Sequence, residues 1–402
     1  MRVLVTIFER LVPSSGGGTP RISNIIKALV KKGHEVFVAC SLGVEKEDAM
    51  RTLGCVDLLP LLYVSRLGKR KMMKYMYAHP INILRVVKYM KKVKPDIIIS
   101  HNSIAGFAGV IAKKYCRVNC ITALDLTDLL FEYLEDYSSK KWIKLIQFLG
   151  RKLEKKTLLN SDKIITISNS MRDILLTYGV KKDNIETVYD GVDTDIFRKA
   201  DKSMFRHKYG KDAASIVIFQ GVIDPQDEPQ IIVDAAKEVL KKHADAMFWI
   251  IGNGTAIPEL KERISNYKLE DRFYFSGWVN QEEVVKYISG SDIGLVILPD
   301  VLSARGRVTL KEFEYWACGI PVVAPRLPAL EEVVQENETG LFYEPGNSKN
   351  LADKINLLTE DKEFRKKMGE NGMKMVKEIF EWKKLAENFV KKCENYKLEV
   401  SL

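Results

Sequence analysis

Short apolar runs alternate with longer stretches of helical periodicity along the whole chain of 402 residues. RVLVTIF (2–8) is followed by PRISNIIKALVKKG (20–33), in which Ile22, Ile25, Ile26, Leu29 and Val30 fall on one helical face. HEVFVAC (34–40), PDIIIS (95–100), VNCITAL (118–124) and DKIITIS (162–168) are further runs with almost no polar alternation. Strands that are apolar on both sides belong in a sheet covered on both faces, which predicts parallel pairing through helical crossovers. NIETVYDGVDTDIFR (184–198) reads as one last strand and an irregular turn. The charged run after it predicts a linker near 197–212.

The pattern then restarts. SIVIFQG (215–221), AMFWIIGNG (246–254), RFYFSGW (272–278), DIGLVILP (292–299) and IPVVAP (320–325) read as strands between amphipathic helices, with ETGLFYE (338–344) as a small edge strand. KEFRKKMGENGMKMVKEIF (362–380) and WKKLAENFVKKCENYK (382–397) are strongly amphipathic. The expected fold class is α/β, with two Rossmann-like domains, 1–197 and 198–378, facing across a central cleft, and a tail helix over 379–402. Ligands of open parallel sheets bind beyond the carboxyl ends of the strands, so that cleft is the expected site.

Composition narrows the class. A hydrophobic content of 46% supports more than one core, and no apolar run approaches the length of a membrane span. The N-terminal MRVLVTIFERLV is too short for a secretion signal and reads as a buried first strand, which implies a cytoplasmic protein. The six cysteines include no CxxC pair and no His at zinc spacing, so neither a metal nor a disulfide framework is expected. A net charge of +10 points to an anionic partner: nucleic acid, anionic lipid or a phosphorylated substrate.

The densest candidate chemistry lies in LKEFEYWACGIPVVAP (310–325). Lys311 and Glu314 are three positions apart and share a helical face. Gly319 ends the helix and Pro321 enters a strand. A surface salt bridge satisfies this pattern. So does a nucleotide site, where a carboxylate takes both ribose hydroxyls and a Lys meets phosphate as a point charge. Upstream, SARGRV (303–308) adds Arg305 and Arg307 on a Gly-containing loop.

In these residues the chain resembles the glycosyltransferases of GT-B fold, family 4 (glycosyl transferases group 1), and the resemblance covers nearly all of it. EYWACGIPVVAP is similar to the family's acid, small-residue helix and Gly-x-Pro-Val-Val block. SDKIITISNSMRDILL with IETVYDGVDTDIF is similar to the end of its first domain, and FWIIGNG to the Gly loop of its second. FYFSGWVNQEEVVKYISGSDIGLVILP resembles the segment lining the base pocket, and GGGTPRISNIIKALVKKGHEV the opening loop, first helix and second strand.

The resemblance implies a retaining, metal-independent transfer of sugar from a nucleotide-diphosphate donor, with no cofactor. It places the donor ribose on Glu314 and donor phosphates near Gly16, Gly17 and Gly18. Gly252, Asn253 and Gly254 border the donor pocket, and Trp278 and Val279 hold the base. Lys311 and Arg307 supply cations for the leaving diphosphate, with Arg305 beside them. Asp125 is a candidate for contact with sugar or acceptor, a turn or helix cap being its other reading, and His101 lines the cleft or is structural. The tail helix is expected to cross back onto the first domain. Several positions depart from the family pattern. Gly306 stands where a first acid is usual, Val222 and Asp227 where a basic pair clamps the diphosphate, Leu124 where a His precedes Asp125, and Asp190 where Asn precedes Gly191. These departures raise a second reading, a degenerate sugar- or nucleotide-binding subunit of the same fold. An epimerase or phosphorylase of similar shape is a third.

The run at 66–94 holds many cations and no acid, with Met, Tyr, Ile and Val interleaved. It suits peripheral contact with an anionic membrane, and hence a lipid-linked or glycan acceptor, or else a pair of core helices with a solvated basic face. Nucleic acid is the weaker expectation, since no nucleic-acid-binding fold is recognised.

Overall fold

The computed structural model describes residues 1–12, 18–62, 71–132, 141–198, 203–210, 213 and 215–401. They form two compact units, Met1–Tyr189 with Trp382–Leu402, and Asp190–Glu381.

Unit 1 alternates β1 (Arg2–Val12), α1 (Gly18–Lys31), β2 (Glu35–Leu42), α2 (Lys46–Leu53), β3 (Asp57–Pro60), α3 (Lys71–Val93), β4 (Ile97–His101) and α4 (Asn102–Cys116). It continues through β5 (Ile121–Leu126), α5 (Lys141–Asn160), β6 (Lys163–Thr166), α6 (Asn169–Thr177) and β7 (Ile185–Thr187). The strands form one parallel sheet in the order β3-β2-β1-β4-β5-β6-β7. Its central strands are apolar on both faces because helices cover both: Val3, Leu4, Val5, Ile97, Ile98 and Ile99 are all fully buried.

Unit 2 repeats the plan with α7 (Ser203–Tyr209), β8 (Ile216–Val222), α8 (Gln230–Lys242), β9 (Met247–Asn253), α9 (Ile257–Asn266), β10 (Phe273–Gly277), α10 (Gln281–Gly290) and β11 (Ile293–Leu295). Then come α11 (Leu302–Arg305), α12 (Lys311–Ala317), β12 (Val322–Pro325), α13 (Pro328–Glu331), β13 (Gly340–Tyr343), α14 (Ser348–Glu360) and α15 (Lys362–Met375). The parallel order is β10-β9-β8-β11-β12-β13, so the winding reverses between β8 and β11. A last helix, α16 (Trp382–Ser401), belongs to unit 1 and packs on α1.

The pattern-based boundary at 197 and the observed one at Asp190 differ for a physical reason. Val192 donates its N–H to the Phe380 carbonyl (3.0 Å) and pairs with Glu381, so the chain is already stitched into unit 2 there. Part of the expected linker is helix α7; residues 199–202, 211, 212 and 214 lie outside the described residues. Among the described residues, no helix is long and apolar enough to cross a membrane.

Candidate functional site

Helix α12 is placed by its buried residues and by both of its ends. Glu312 reaches back to the Thr309 N–H (2.6 Å) and hydroxyl, fixing the helix start. At the other end Gly319, at φ +78°, lets the Ile320 N–H return to the Tyr315 carbonyl (3.1 Å), and Pro321 leads into β12. Phe313, Tyr315 and Trp316 are fully buried between these ends.

Tyr315 aims the helix. Pairing of β8 with β11 stops at Ile218–Gly294, where the sheet changes direction. The Tyr315 hydroxyl enters just beyond. It accepts the Gln220 backbone N–H (3.2 Å) and lies 3.3 Å from the Leu295 carbonyl. The ring lies on Gly294: a Cβ there would come within 2.3 Å of it. Its neighbour Glu314 is thereby brought to the carboxyl end of β8, where the Gln220 side-chain amide donates to its carboxylate. This is the topological switch point, the place where open parallel sheets bind ligands.

Around Glu314 the sequence-predicted residues of unit 2 gather along one sheet edge. Lys311 forms no ion pair with Glu314; its ammonium lies 5.5 Å above the Phe219 ring and its chain packs on Gly221. Arg307 donates to Asp227 (2.8 Å), a pair with little solvent exposure. Asp227, which stands where the family pattern has a diphosphate-clamping base, therefore spends its charge on a cation from the loop before α12. Arg305 is held in a two-bond contact by Asp300 (2.5 and 3.0 Å) and is exposed. Gly252, at φ +125°, ends β9 so close to the Gly221 carbonyl that a Cβ would lie 2.0 Å from it. Asn253 turns its side-chain oxygen to the Gly254 N–H (2.9 Å), and the Ile223 N–H donates to the Asn253 carbonyl (3.1 Å), which binds the loops after β8 and β9 together. Trp278, just past β10, is 79% exposed, and Val279 is half-buried.

The electrostatics follow from burial. It pushes the Glu314 carboxyl up to about 7, with the Gln220 hydrogen bond and Lys311 pulling the other way. Burial also lowers the Lys311 pKa, against the pull of Asp227, and raises Glu312 to about 7.

In unit 1, Asp125 ends in a closed network. It is fully buried; one oxygen accepts from Arg21 Nε (2.8 Å) and the other meets His101 Nδ1 (2.8 Å). Burial opposes its ionisation, but Arg21 and the His101 hydrogen bond outweigh that and hold its carboxyl below the usual range. Arg21 also donates to the Val188 (3.0 Å) and Tyr189 (3.1 Å) carbonyls. Asp125, a candidate for contact with sugar or acceptor, has no exposed surface of its own, and its two oxygens are taken up by Arg21 and His101. Gly18 opens α1 against that imidazole, where a Cβ would lie 2.2 Å from Nε2. Gly16 and Gly17 lie outside the described residues.

Sequence reasoning missed Gln220, Arg21 and the pairing of Asp227 with Arg307. Gln220 had a signal, a lone polar residue at the end of an apolar strand. Arg21 stood at the start of an Ile-rich helical face, but its partner is 104 positions away. Among the described residues, no group of three His, Cys, Asp or Glu side chains has a metal-holding arrangement.

Residues 201–375 match the family described as Glycosyl transferases group 1, and residues 15–196 the one described as Glycosyltransferase Family 4. The N-acetyl-alpha-D-glucosaminyl L-malate synthase of Bacillus anthracis is 25% identical over 391 residues, 94% of this chain and 93% of its own. An uncharacterised glycosyltransferase of Methanocaldococcus jannaschii is 23% identical over 400 residues, 97% of either chain. Among solved structures, sucrose-phosphate synthase of Thermosynechococcus elongatus is similar with a TM-score of 0.80 at 18% identity, covering 98% of each chain. Anabaena HepE, solved with UDP and glucose, gives 0.78 at 18% identity, covering 98% of this chain and 99% of its own. At these identities the structural likenesses establish the fold.

Proposed function

We propose a specific chemistry for this chain, which belongs to the glycosyltransferases of family 4 with the GT-B fold. It moves a sugar from a nucleotide-diphosphate donor to a glycan or lipid-linked acceptor, with retention of anomeric configuration and without a metal. The observation that carries the reading is the Glu314 carboxylate, oriented by Gln220 at the switch point of a parallel sheet, with Lys311 one turn before it.

In this reading Glu314 accepts hydrogen bonds from the two ribose hydroxyls. As the sugar–phosphate bond breaks, negative charge grows on the leaving diphosphate. Lys311 and the Asp227-held Arg307 stabilise it there, with Arg305 at the rim. The backbone of Gly252, Asn253 and Gly254 borders the phosphates, and Trp278 and Val279 meet the base. In unit 1, Asp125 fixes the His101 ring. The names of the relatives, a synthase of N-acetyl-glucosaminyl malate in Bacillus anthracis and a glycosyltransferase in Methanocaldococcus jannaschii, support sugar transfer. The UDP held by HepE makes uridine diphosphate sugars the first donors to test.

The test is transfer or hydrolysis of radiolabelled sugar from a donor panel. Glu314→Ala is expected to lower kcat/KM by roughly 10²–10³-fold, the scale of losing a charged hydrogen-bonding group in a buried site. Unimpaired turnover by this variant refutes the assignment.

A further inference from the structure

Helices α3, α4 and α5 are successive crossovers of the unit 1 sheet and lie side by side, α3 against α4 and α4 against α5. Their charge is one-sided. Together they hold fourteen Lys and Arg and a single acid, Glu154. Glu154 is only 3% exposed and is turned inward, accepting from the Ser103 hydroxyl (2.5 Å) and the Leu130 N–H (3.1 Å). This layer therefore carries more positive charge than the +10 of the whole chain. Neighbouring elements neutralise part of it: Asp57 meets Lys92 (3.4 Å), Asp162 meets Lys113 (2.6 Å) and Glu132 meets Arg151 (2.7 Å). Lys88, Lys91, Lys114, Lys152, Lys155 and Lys156 are exposed and make no ion pair among the described residues.

Large apolar side chains stand in solvent among these lysines. Leu84 is 69% exposed, Tyr115 74%, Phe148 53%, Leu149 55% and Leu159 48%. On α5, Phe148, Lys152, Lys155 and Leu159 follow helical spacing and form one outward stripe, with the Lys152 ammonium 4.3 Å above the Phe148 ring. A solvated basic face accounts for the lysines but not for Phe148, Leu149 and Leu159 beside them. Nucleic acid accounts for the lysines but gives the leucines nothing to cover them. An apolar stripe flanked by long cationic side chains is the arrangement of helices that lie in a bilayer interface.

We infer that the α3–α4–α5 face of unit 1 docks on an anionic lipid bilayer. The ammonium groups lie at headgroup phosphates, and Phe148, Leu149, Leu159 and Leu84 enter the acyl boundary. The face includes the described part of the acid-free run at 66–94; residues 66–70 lie outside the described residues. It extends that run to two helices whose pattern drew no such reading from sequence. The inference goes beyond the catalytic reading and stands without it.

Vesicle flotation of the full chain tests it, with phosphatidylcholine alone or mixed with phosphatidylglycerol, at low and high salt. Binding is expected only to the mixed vesicles, and its loss at high salt. Phe148→Ser with Leu149→Ser, and separately Lys152→Glu with Lys155→Glu and Lys156→Glu, each lower the partition coefficient by about tenfold or more. The same charge change at Lys362, Lys366 and Lys367 on unit 2 has a much smaller effect. Thermal midpoints and donor hydrolysis stay at the wild-type level in the α5 variants, which separates this test from the test of Glu314. Four results overturn the inference: no vesicle binding, equal binding to the neutral vesicles, equal loss in the unit 2 variant, or preferential binding to an RNA oligomer abolished by the same α5 lysine changes.

Discussion

Glu314 and Lys311 sit one helical turn apart, and burial pushes both toward their neutral forms. For Glu314, the resulting pKa of about 7 has two consequences of opposite sign. In the empty protein, the raised value contributes stability that is present below the ordinary Glu range and is lost as pH rises through about 7. For the ligand the ionised carboxylate is the competent acceptor, so donor affinity rises as pH climbs through that same value. Titrating nucleotide over a pH series checks this, and an affinity flat across the neutral range removes Glu314 from the ribose. Asp227 and Arg307 make a second prediction. Asp227→Asn leaves a poorly exposed guanidinium without this counter-charge, which costs on the order of 3–5 kcal/mol in the empty protein. A nucleoside diphosphate then restores more thermal stability to the variant than it adds to the wild type. Equal ligand-induced shifts place Arg307 away from the phosphates. The Lys311–Glu314 spacing was legible because it is local, and its meaning came from the Gly-x-Pro block beside it. The Asp227–Arg307 and Arg21–Asp125 pairs were not, because each joins positions 80 or more apart.

At the scale of elements, the site depends on how α12 is seated. Its Tyr315 ring occupies the space where Gly294 lacks a side chain, and its hydroxyl takes over where the β8–β11 ladder stops. Gly294→Ala forces a methyl group to within 2.3 Å of that ring. The expected cost is about 1–3 kcal/mol in chemical denaturation, with weaker donor binding as α12 shifts. Wild-type stability and affinity in this variant contradict the seating. The strands themselves were legible, since two-sided apolar runs leave few other placements. One differs instructively. DIGLVILP reads as a strand to residue 299, but the observed β11 is only Ile293–Leu295, because the Tyr315 hydroxyl takes the place of the next ladder bonds with β8. The exposed stripe of α5 escaped notice because periodicity gives a helix its apolar residues without saying which side is covered.

For the whole molecule, sequence and structure agree on two parallel α/β units and differ on where the chain passes between them. A linker read from charge at 197–212 gave way to a boundary set by the Val192 contacts with Phe380 and Glu381. The chain returns to unit 1 at Trp382, and α16 buries Phe389, Val390, Cys393 and Tyr396 there. Phe389 lies under the Arg21 guanidinium (5.7 Å), and Lys31, His34 and Lys163 pair with Glu387, Glu394 and Glu399. Each buried side chain of this kind contributes on the order of 2 kcal/mol, so removing the helix takes away a large part of a typical domain's stability. A chain ending at Glu381 is expected to lose hydrogen-exchange protection throughout unit 1 while unit 2 keeps its own. Unchanged protection in unit 1 contradicts that assignment of α16. The measurement that tests the central claim most directly is a calorimetric titration of UDP and the other nucleoside diphosphates into wild type and Glu314→Ala. The account predicts saturable binding to the wild type for at least one of them and at least about tenfold weaker binding to the variant. Equal affinities, or no binding to the wild type by any of them, contradict a nucleotide site at this sheet edge.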